Sequence, residues 1–117
     1  PNRPYTIHRD HRMTGRVALD AVFPYARDHL AYPEHLAEGL EPHKVREVYL
    51  WGSPDPDTYV DTTDTFETRI KALHRHVSQV GEPTEDRRER TEQRYREAGK
   101  AIGVKFAERF KRIDLFR

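Results

Sequence analysis

Two short strand patterns, joined by a turn, lie in the middle of a chain whose other segments show helical spacing. Residues 45–51 are rich in β-branched and aromatic side chains, and residues 59–62 form a shorter second pattern. The glycine, prolines and aspartates of residues 52–57 are typical of a turn. Strands that alternate with helices indicate an α/β layered fold. Because two strands are too few for a stable sheet, we expect the missing strands to lie upstream of this sequence.

The spacing of apolar side chains predicts three helices, over residues 12–28, 64–79 and 85–102. Pro24 should bend or end the first helix, because it lacks a backbone donor. Asp64 and Glu67 have the spacing of a capping box at the start of the second helix. Gly103 is placed to end the third helix. The segment 104–115 carries scattered apolar residues and is expected to dock as a tail onto the rest of the domain.

The composition of the chain excludes several classes of protein. A length of 117 residues fits one domain with a core of moderate size. The formal net charge of +1 argues against a dedicated nucleic-acid binder. No apolar run has the length of a membrane span or the character of a signal peptide. The chain has no cysteine, so histidines and carboxylates would have to hold any metal. We expect a cytoplasmic protein without nucleic-acid or membrane partners.

A cluster of titratable side chains, His8-Arg9-Asp10-His11, stands just before the first helical pattern. One imidazole can bind a metal, a second can carry a proton, and a carboxylate can orient one of them. Histidine and aspartate are also common in surface turns, and the His-x-Asp-His spacing alone is a weak pattern. A catalytic zinc needs about three protein ligands. Adjacent residues rarely point at one ion, so the cluster is interpreted as half of a site.

Beyond this cluster, several segments occur in an order that is specific. They cover residues 8–16, 18–22, 27–28, 45–52, 60–65, 71–73 and 76–79. Their succession resembles the C-terminal half of the PIG-L/LmbE-like family of zinc-dependent deacetylases, from about Tyr5 to Phe110. The resemblance implies a Rossmann-like, three-layer α/β fold. Residues 1–117 would then form a single partial domain, the C-terminal half of such an enzyme.

The resemblance also implies a reaction and roles for three residues. Family members use Zn²⁺ to hydrolyse an N-acyl group, usually the N-acetyl group of a glucosaminyl conjugate, so the expected partner is a small N-acyl amino sugar. His11 matches the last histidine of the family's His-x-Asp-His motif and would be a zinc ligand. His8 matches the first histidine and would act as the general acid. Asp10 would hydrogen-bond an imidazole, that of His8, and keep it charged and oriented.

Two departures from the family pattern qualify these roles. The N-terminal His-Pro-Asp-Asp motif, which supplies the other ligands and the general base, has no match, since residues 1–7 contain neither His nor Asp. Arg9 stands where the family usually has proline. We therefore expect the isolated chain to be inactive. A Rossmann-like core cut in half would also expose apolar sheet surface, so pairing with another chain, such as a homo-oligomer, is expected.

Two other functions fit the same residues. One is a related amidase that cleaves a larger acyl group from a thiol conjugate. The other is a non-catalytic fragment or interaction module that keeps the fold without a complete metal site.

The remaining charged residues have simpler interpretations. The segment 87–97 interleaves arginines with acidic residues, which favours a solvated helix face with i,i+4 ion pairs over a phosphate-binding surface. Asp61 and Asp64 are expected to fix the turn into the following helix. His76 matches a histidine often seen in the family, and is interpreted as a helix-surface or capping residue, with a place at a pocket edge as the alternative.

Overall fold

The computed structural model describes residues 8–115 and shows two compact units. The first comprises residues 8–48 with residues 114 and 115, and the second comprises residues 49–113. The assignment of residues 1–117 to a single partial domain stays a prediction. Among the helices of residues 8–115, none has both the length and the apolarity that crossing a membrane requires.

The first unit is mainly helical. Helix α1 covers Arg9–Val22, and a 3₁₀ turn over Tyr25–Arg27 follows it. Pro24 lies between them, which confirms that proline ends the first helix, because its ring cannot donate to the preceding turn. Helix α2 covers Pro33–Ala37 and begins at a proline, whose missing N–H costs nothing in a first turn.

A three-stranded sheet is built from β1 (Glu47–Trp51), β2 (Thr58–Asp61) and β3 (Ala107–Asp114), in the order β1-β3-β2. Strand β2 pairs antiparallel with β3, with Thr58 opposite Phe110 and Asp61 opposite Ala107. The first two strands are confirmed within about two residues. The third lies in the segment interpreted as an apolar tail, where no strand was predicted, and the expectation of further strands upstream stays a prediction.

The composition of β3 explains that error. Five of its eight residues are charged, and the alternation that marks a half-buried strand is blurred along it. The structure therefore has a mixed helix and strand fold with a small antiparallel sheet. The Rossmann-like, three-layer arrangement stays a prediction.

The helices of the second unit are α3 (Phe66–His74), α4 (Val77–Val80) and α5 (Glu85–Lys100). The expected helix to residue 79 is thus two helices, while α5 and its N-cap residue Thr84 agree with the sequence. The prediction of a capping box formed by Asp64 and Glu67 was wrong. Residue 65 is the N-cap of α3 and makes no side-chain capping bond, while Glu67 pairs with Arg88 at 2.5 Å.

The buried core lies where α3, α5 and the start of β3 meet. Phe66 is 1% exposed, stacks on Phe106 with ring centroids 4.1 Å apart, and meets Tyr95 edge-on at 5.4 Å. Each such ring stabilises the fold by roughly 1.5–3 kcal/mol through burial. The Tyr95 hydroxyl donates to the Glu108 carboxylate, and burial together with this bond raises the pKa of Tyr95. This cluster ties both helices to the central strand.

Candidate functional site

The three predicted site residues lie together in the first turn of α1 and at its N-cap. His8 is the N-cap residue, and its Nδ1 accepts a hydrogen bond from the Asp10 backbone N–H at 3.2 Å. The Asp10 carboxylate lies 3.8 Å from the same nitrogen, and the His8 and His11 rings have centroids 5.8 Å apart. The side chains of His8 and Asp10 are 69% and 74% exposed. The structure therefore groups the residues, and it does so on an open surface.

The hydrogen bond at the N-cap decides which nitrogen of His8 is available for chemistry. A nitrogen that accepts a hydrogen bond carries no proton, so neutral His8 has its proton on Nε2. A proton on Nδ1 would break the hydrogen bond from the Asp10 N–H. The protonated nitrogen would then have the Asp10 carboxylate as its nearest acceptor. Asp10 thus contacts His8 in two ways, through its backbone and through its side chain.

The described residues do not by themselves form a zinc site. A catalytic zinc needs about three protein ligands and an open position. Within residues 8–115, no group of three or more His, Cys, Asp or Glu side chains is placed to hold a metal. His11 is exposed and on the first helical turn, which suits a single ligand. A complete zinc site would need donors other than those described.

Two aspartates show how the strands are held, and neither lies in the candidate site. The Asp61 carboxylate accepts the Thr63 N–H at 2.9 Å, and hydrogen bonds from Thr63 lower the pKa of Asp61. This confirms that Asp61 fixes the turn from β2 into the next helix. Asp57 accepts the Arg112 N–H at 2.9 Å, and the bonds from Arg112 and Lys111 lower its pKa to about 2.

A cavity that sequence reasoning missed lies within the first unit. It has a volume of about 250 Å³ and is lined by aromatic, carboxylate and apolar side chains between Ala21 and Pro42. Tyr32 stacks on His35 at 5.1 Å and meets Tyr25 edge-on at 6.1 Å, which forms one wall. The signal in the sequence is the aromatic and imidazole side chains that flank Pro33, Tyr32 and His35.

His76, the alternative pocket-edge residue, is the exposed N-cap residue of α4 and makes no side-chain capping bond.

Two known proteins similar to this chain are deacetylases. Over 82 residues, which are 70% of this chain and 30% of the relative, it is 32% identical to diacetylchitobiose deacetylase of Thermococcus kodakarensis. It also resembles the solved structure of N,N'-diacetylchitobiose deacetylase from Pyrococcus horikoshii in complex with its inhibitor MPG. That likeness has a TM-score of 0.76 at 28% identity and covers 95% of this chain and 42% of the other. The chain matches no known family model.

The chain matches only part of each of these two proteins, and this limits what the likenesses support. The chain spans about a third of the length of the curated relative and less than half of the solved chain. Its mixed helix and strand fold is similar to that of a deacetylase structure. The likenesses support, in part, the resemblance to the LmbE-type deacetylases. That the chain is the C-terminal half of such an enzyme stays a prediction.

Proposed function

We propose that the protein carrying this chain is a zinc-dependent deacetylase that removes the N-acetyl group from an N-acetylglucosamine unit of a small saccharide. The likeness to the N,N'-diacetylchitobiose deacetylase structure carries the proposal, because it extends over 95% of the chain at 28% sequence identity. The 32% identity to a second diacetylchitobiose deacetylase supports it independently of the fold.

In this proposal the first turn of α1 supplies one ligand and one proton donor. His11 is the zinc ligand, and donors outside residues 8–115 complete the site. Zinc, when bound, polarises the amide carbonyl and activates water. His8, protonated on both ring nitrogens, supports the developing oxyanion or protonates the departing amine through Nε2, and in this state its Nδ1 no longer caps the helix. The Asp10 carboxylate, 3.8 Å from Nδ1, stabilises the charged imidazole and fixes its orientation.

The proposal is tested on the native protein that carries this sequence, purified from its source cells. Zinc content and acetate release from N,N'-diacetylchitobiose are measured together, with a thiol-conjugate amide as the second substrate. We expect bound zinc and deacetylation of the saccharide. Cleavage of the thiol conjugate alone would assign the protein to the amidase class. Absence of both zinc and hydrolysis would favour the non-catalytic interaction module, since residues 8–115 hold no three-donor cluster.

A pair of histidine variants then tests the role of His11. His11→Ala is expected to lose bound zinc and to lower kcat/KM by about 100-fold or more, since changes outside the ligand set already cost about 10–100-fold. His29→Ala removes another exposed imidazole of the same unit and should keep both zinc and activity. Full activity in His11→Ala would refute the ligand assignment.

A further inference from the structure

The six basic side chains of α5 divide into two groups. Three of them form ion pairs with glutamates: Arg88 with Glu67 at 2.5 Å, Arg96 with Glu92 at 2.6 Å, and Lys100 with Glu97 at 2.7 Å. For the other three, Arg87, Arg90 and Arg94, no carboxylate within residues 8–115 lies at ion-pair distance. The expected i,i+4 pairing within residues 87–97 is therefore confirmed for Arg96 with Glu92, while Arg88 pairs with another helix and the remaining three arginines form no ion pair within the described part of the chain.

The three remaining arginines share one face of the helix. Spacings of three and four residues place Arg87, Arg90, Thr91 and Arg94 side by side. Together they line a cleft of about 280 Å³ within the second unit. Arg90 uses its Nε to donate to the Asp86 carbonyl at 3.1 Å, which leaves its two Nη groups for another partner. The Thr91 hydroxyl donates to the Arg87 carbonyl at 2.9 Å, and its oxygen remains able to accept.

Arg87 carries the observation that points to a ligand. Its side chain is half-buried, and its Nη1 atom is fully buried without a hydrogen-bond partner among the described residues. An unsatisfied buried donor on a charged group destabilises the folded state. Such groups are rare in folded proteins, and a bound ion or water commonly accounts for them. Rotation of this half-buried guanidinium toward the cleft would bring its unsatisfied donor to an oxyanion bound there, which would supply the acceptor that Arg87 lacks.

We propose that this arginine face, Arg87, Arg90 and Arg94, binds the phosphate group of a small phosphorylated ligand. Guanidinium groups match the geometry of a phosphate through paired N–H donors, and three of them exceed the two charges of a phosphate monoester. The acidic residues interleaved along α5, such as Glu89 and Glu92, would repel an extended polyanion. One compact phosphate fits between them. The site is independent of the deacetylase reaction.

Binding is tested by nuclear magnetic resonance on the full protein that carries this sequence, in which the side-chain Nε–H signals of the arginines are observed. Inorganic phosphate and glucosamine 6-phosphate are titrated separately, so that a free ion and a phosphate ester are distinguished. We expect saturable shifts at Arg87, Arg90 and Arg94, with the ester binding more tightly. Lack of saturation by about 10 mM of either probe, ten times a Kd of about 1 mM, would overturn the proposal. Equal affinities would support a site for the free ion and overturn the assignment to a phosphorylated ligand.

Matched variants on the same helix sharpen the test. Arg90→Gln and Arg94→Gln change exposed residues and are each expected to weaken phosphate binding by about tenfold, the effect of one charge-assisted hydrogen bond. Arg96→Gln removes an equal charge whose partner is Glu92 and should leave binding within about twofold, since exposed ion pairs contribute little. Similar losses in all three variants would show a general charge effect and overturn the site. Circular dichroism confirms that each variant keeps its helices.

Discussion

The first turn of α1 and the aromatic core of the second unit differ in almost every physical respect. Helix α1 buries none of its side chains, and Val17 on its apolar stripe is 59% exposed. Among residues 8–115, the six buried hydrophobic residues all lie in the second unit: Phe66, Ile70, Tyr95, Ala98, Phe106 and Ala107. The residues predicted to carry chemistry thus lie on a helix with no buried side chain, and the residues that carry stability have no predicted chemistry. Substitutions in the two regions should therefore separate activity from stability.

The largest expected effect on stability comes from Phe66→Ala. The ring is 1% exposed and stacks on Phe106, so its removal leaves a cavity between α3 and β3 and costs about 3–5 kcal/mol. The control, Val17→Ala, removes an exposed side chain of α1 and should change the free energy of unfolding by less than about 0.5 kcal/mol. Urea unfolding followed by circular dichroism measures both. Equal losses would show that α1 is packed as tightly as the core.

A glycine-to-alanine substitution in a helix of each region has the next largest expected effect on stability. In Gly99→Ala, the added methyl would overlap the Val104 carbonyl oxygen, so the backbone must shift at a cost of about 1–3 kcal/mol. In Gly15→Ala, no atom lies within 4 Å of the added methyl. That variant should gain about 0.5–1 kcal/mol from helix propensity. Helix content and thermal unfolding report both variants, and effects of the same sign would contradict the difference in packing.

The same contrast explains which parts of the fold the sequence reveals. Helix α5 was located because its apolar positions face a core and its ends carry ordinary signals, Thr84 before it and Gly103 beyond it. Strand β3 was missed because the sheet pairs it on both edges while its side chains stay largely charged. Backbone pairing with distant residues leaves no local pattern. The central position of β3 in the sheet therefore depends on tertiary contacts that its own sequence does not reveal.

The sequence also predicts the candidate site only in part. Spacing alone grouped His8, Asp10 and His11, and the structure shows them in one helical turn. The dual contact between Asp10 and His8 was only half expected, because the sequence does not show that the imidazole caps the helix. The arginine face of α5 was missed for the opposite reason. Its residues look paired in sequence, and only the geometry shows which arginines have partners.

Two variants of His8 distinguish its capping role from its proposed chemistry. His8→Ala removes the acceptor for the Asp10 N–H and should destabilise the first turn of α1 by about 1 kcal/mol. His8→Asn keeps a capping oxygen and loses the imidazole. Hydrogen exchange of the first-turn amides should therefore be faster in the alanine variant and near normal in the asparagine variant. Deacetylation should fail in both, and activity in His8→Asn would assign the residue a capping role alone.

The smallest effect is expected at Asp57, on the exposed turn between β1 and β2. Its carboxylate accepts the Arg112 N–H at 2.9 Å and pairs with Lys111 at 3.0 Å, and these bonds lower its pKa from 3.8 to about 2. A lowered pKa means that the folded state favours the ionised form. The stabilisation is complete above pH 3.8 and disappears as the pH falls through about 2. Asp57→Asn should therefore unfold at a lower temperature than the parent at neutral pH, and the difference should shrink as the pH falls from 3.8 to about 2.

Asp55→Asn, which loses only a contact with Lys111 at 3.2 Å, should show a smaller difference. If both variants match the parent throughout an acid series of thermal unfolding, the turn contributes nothing to holding β3, and the stability of the second unit comes from its aromatic core.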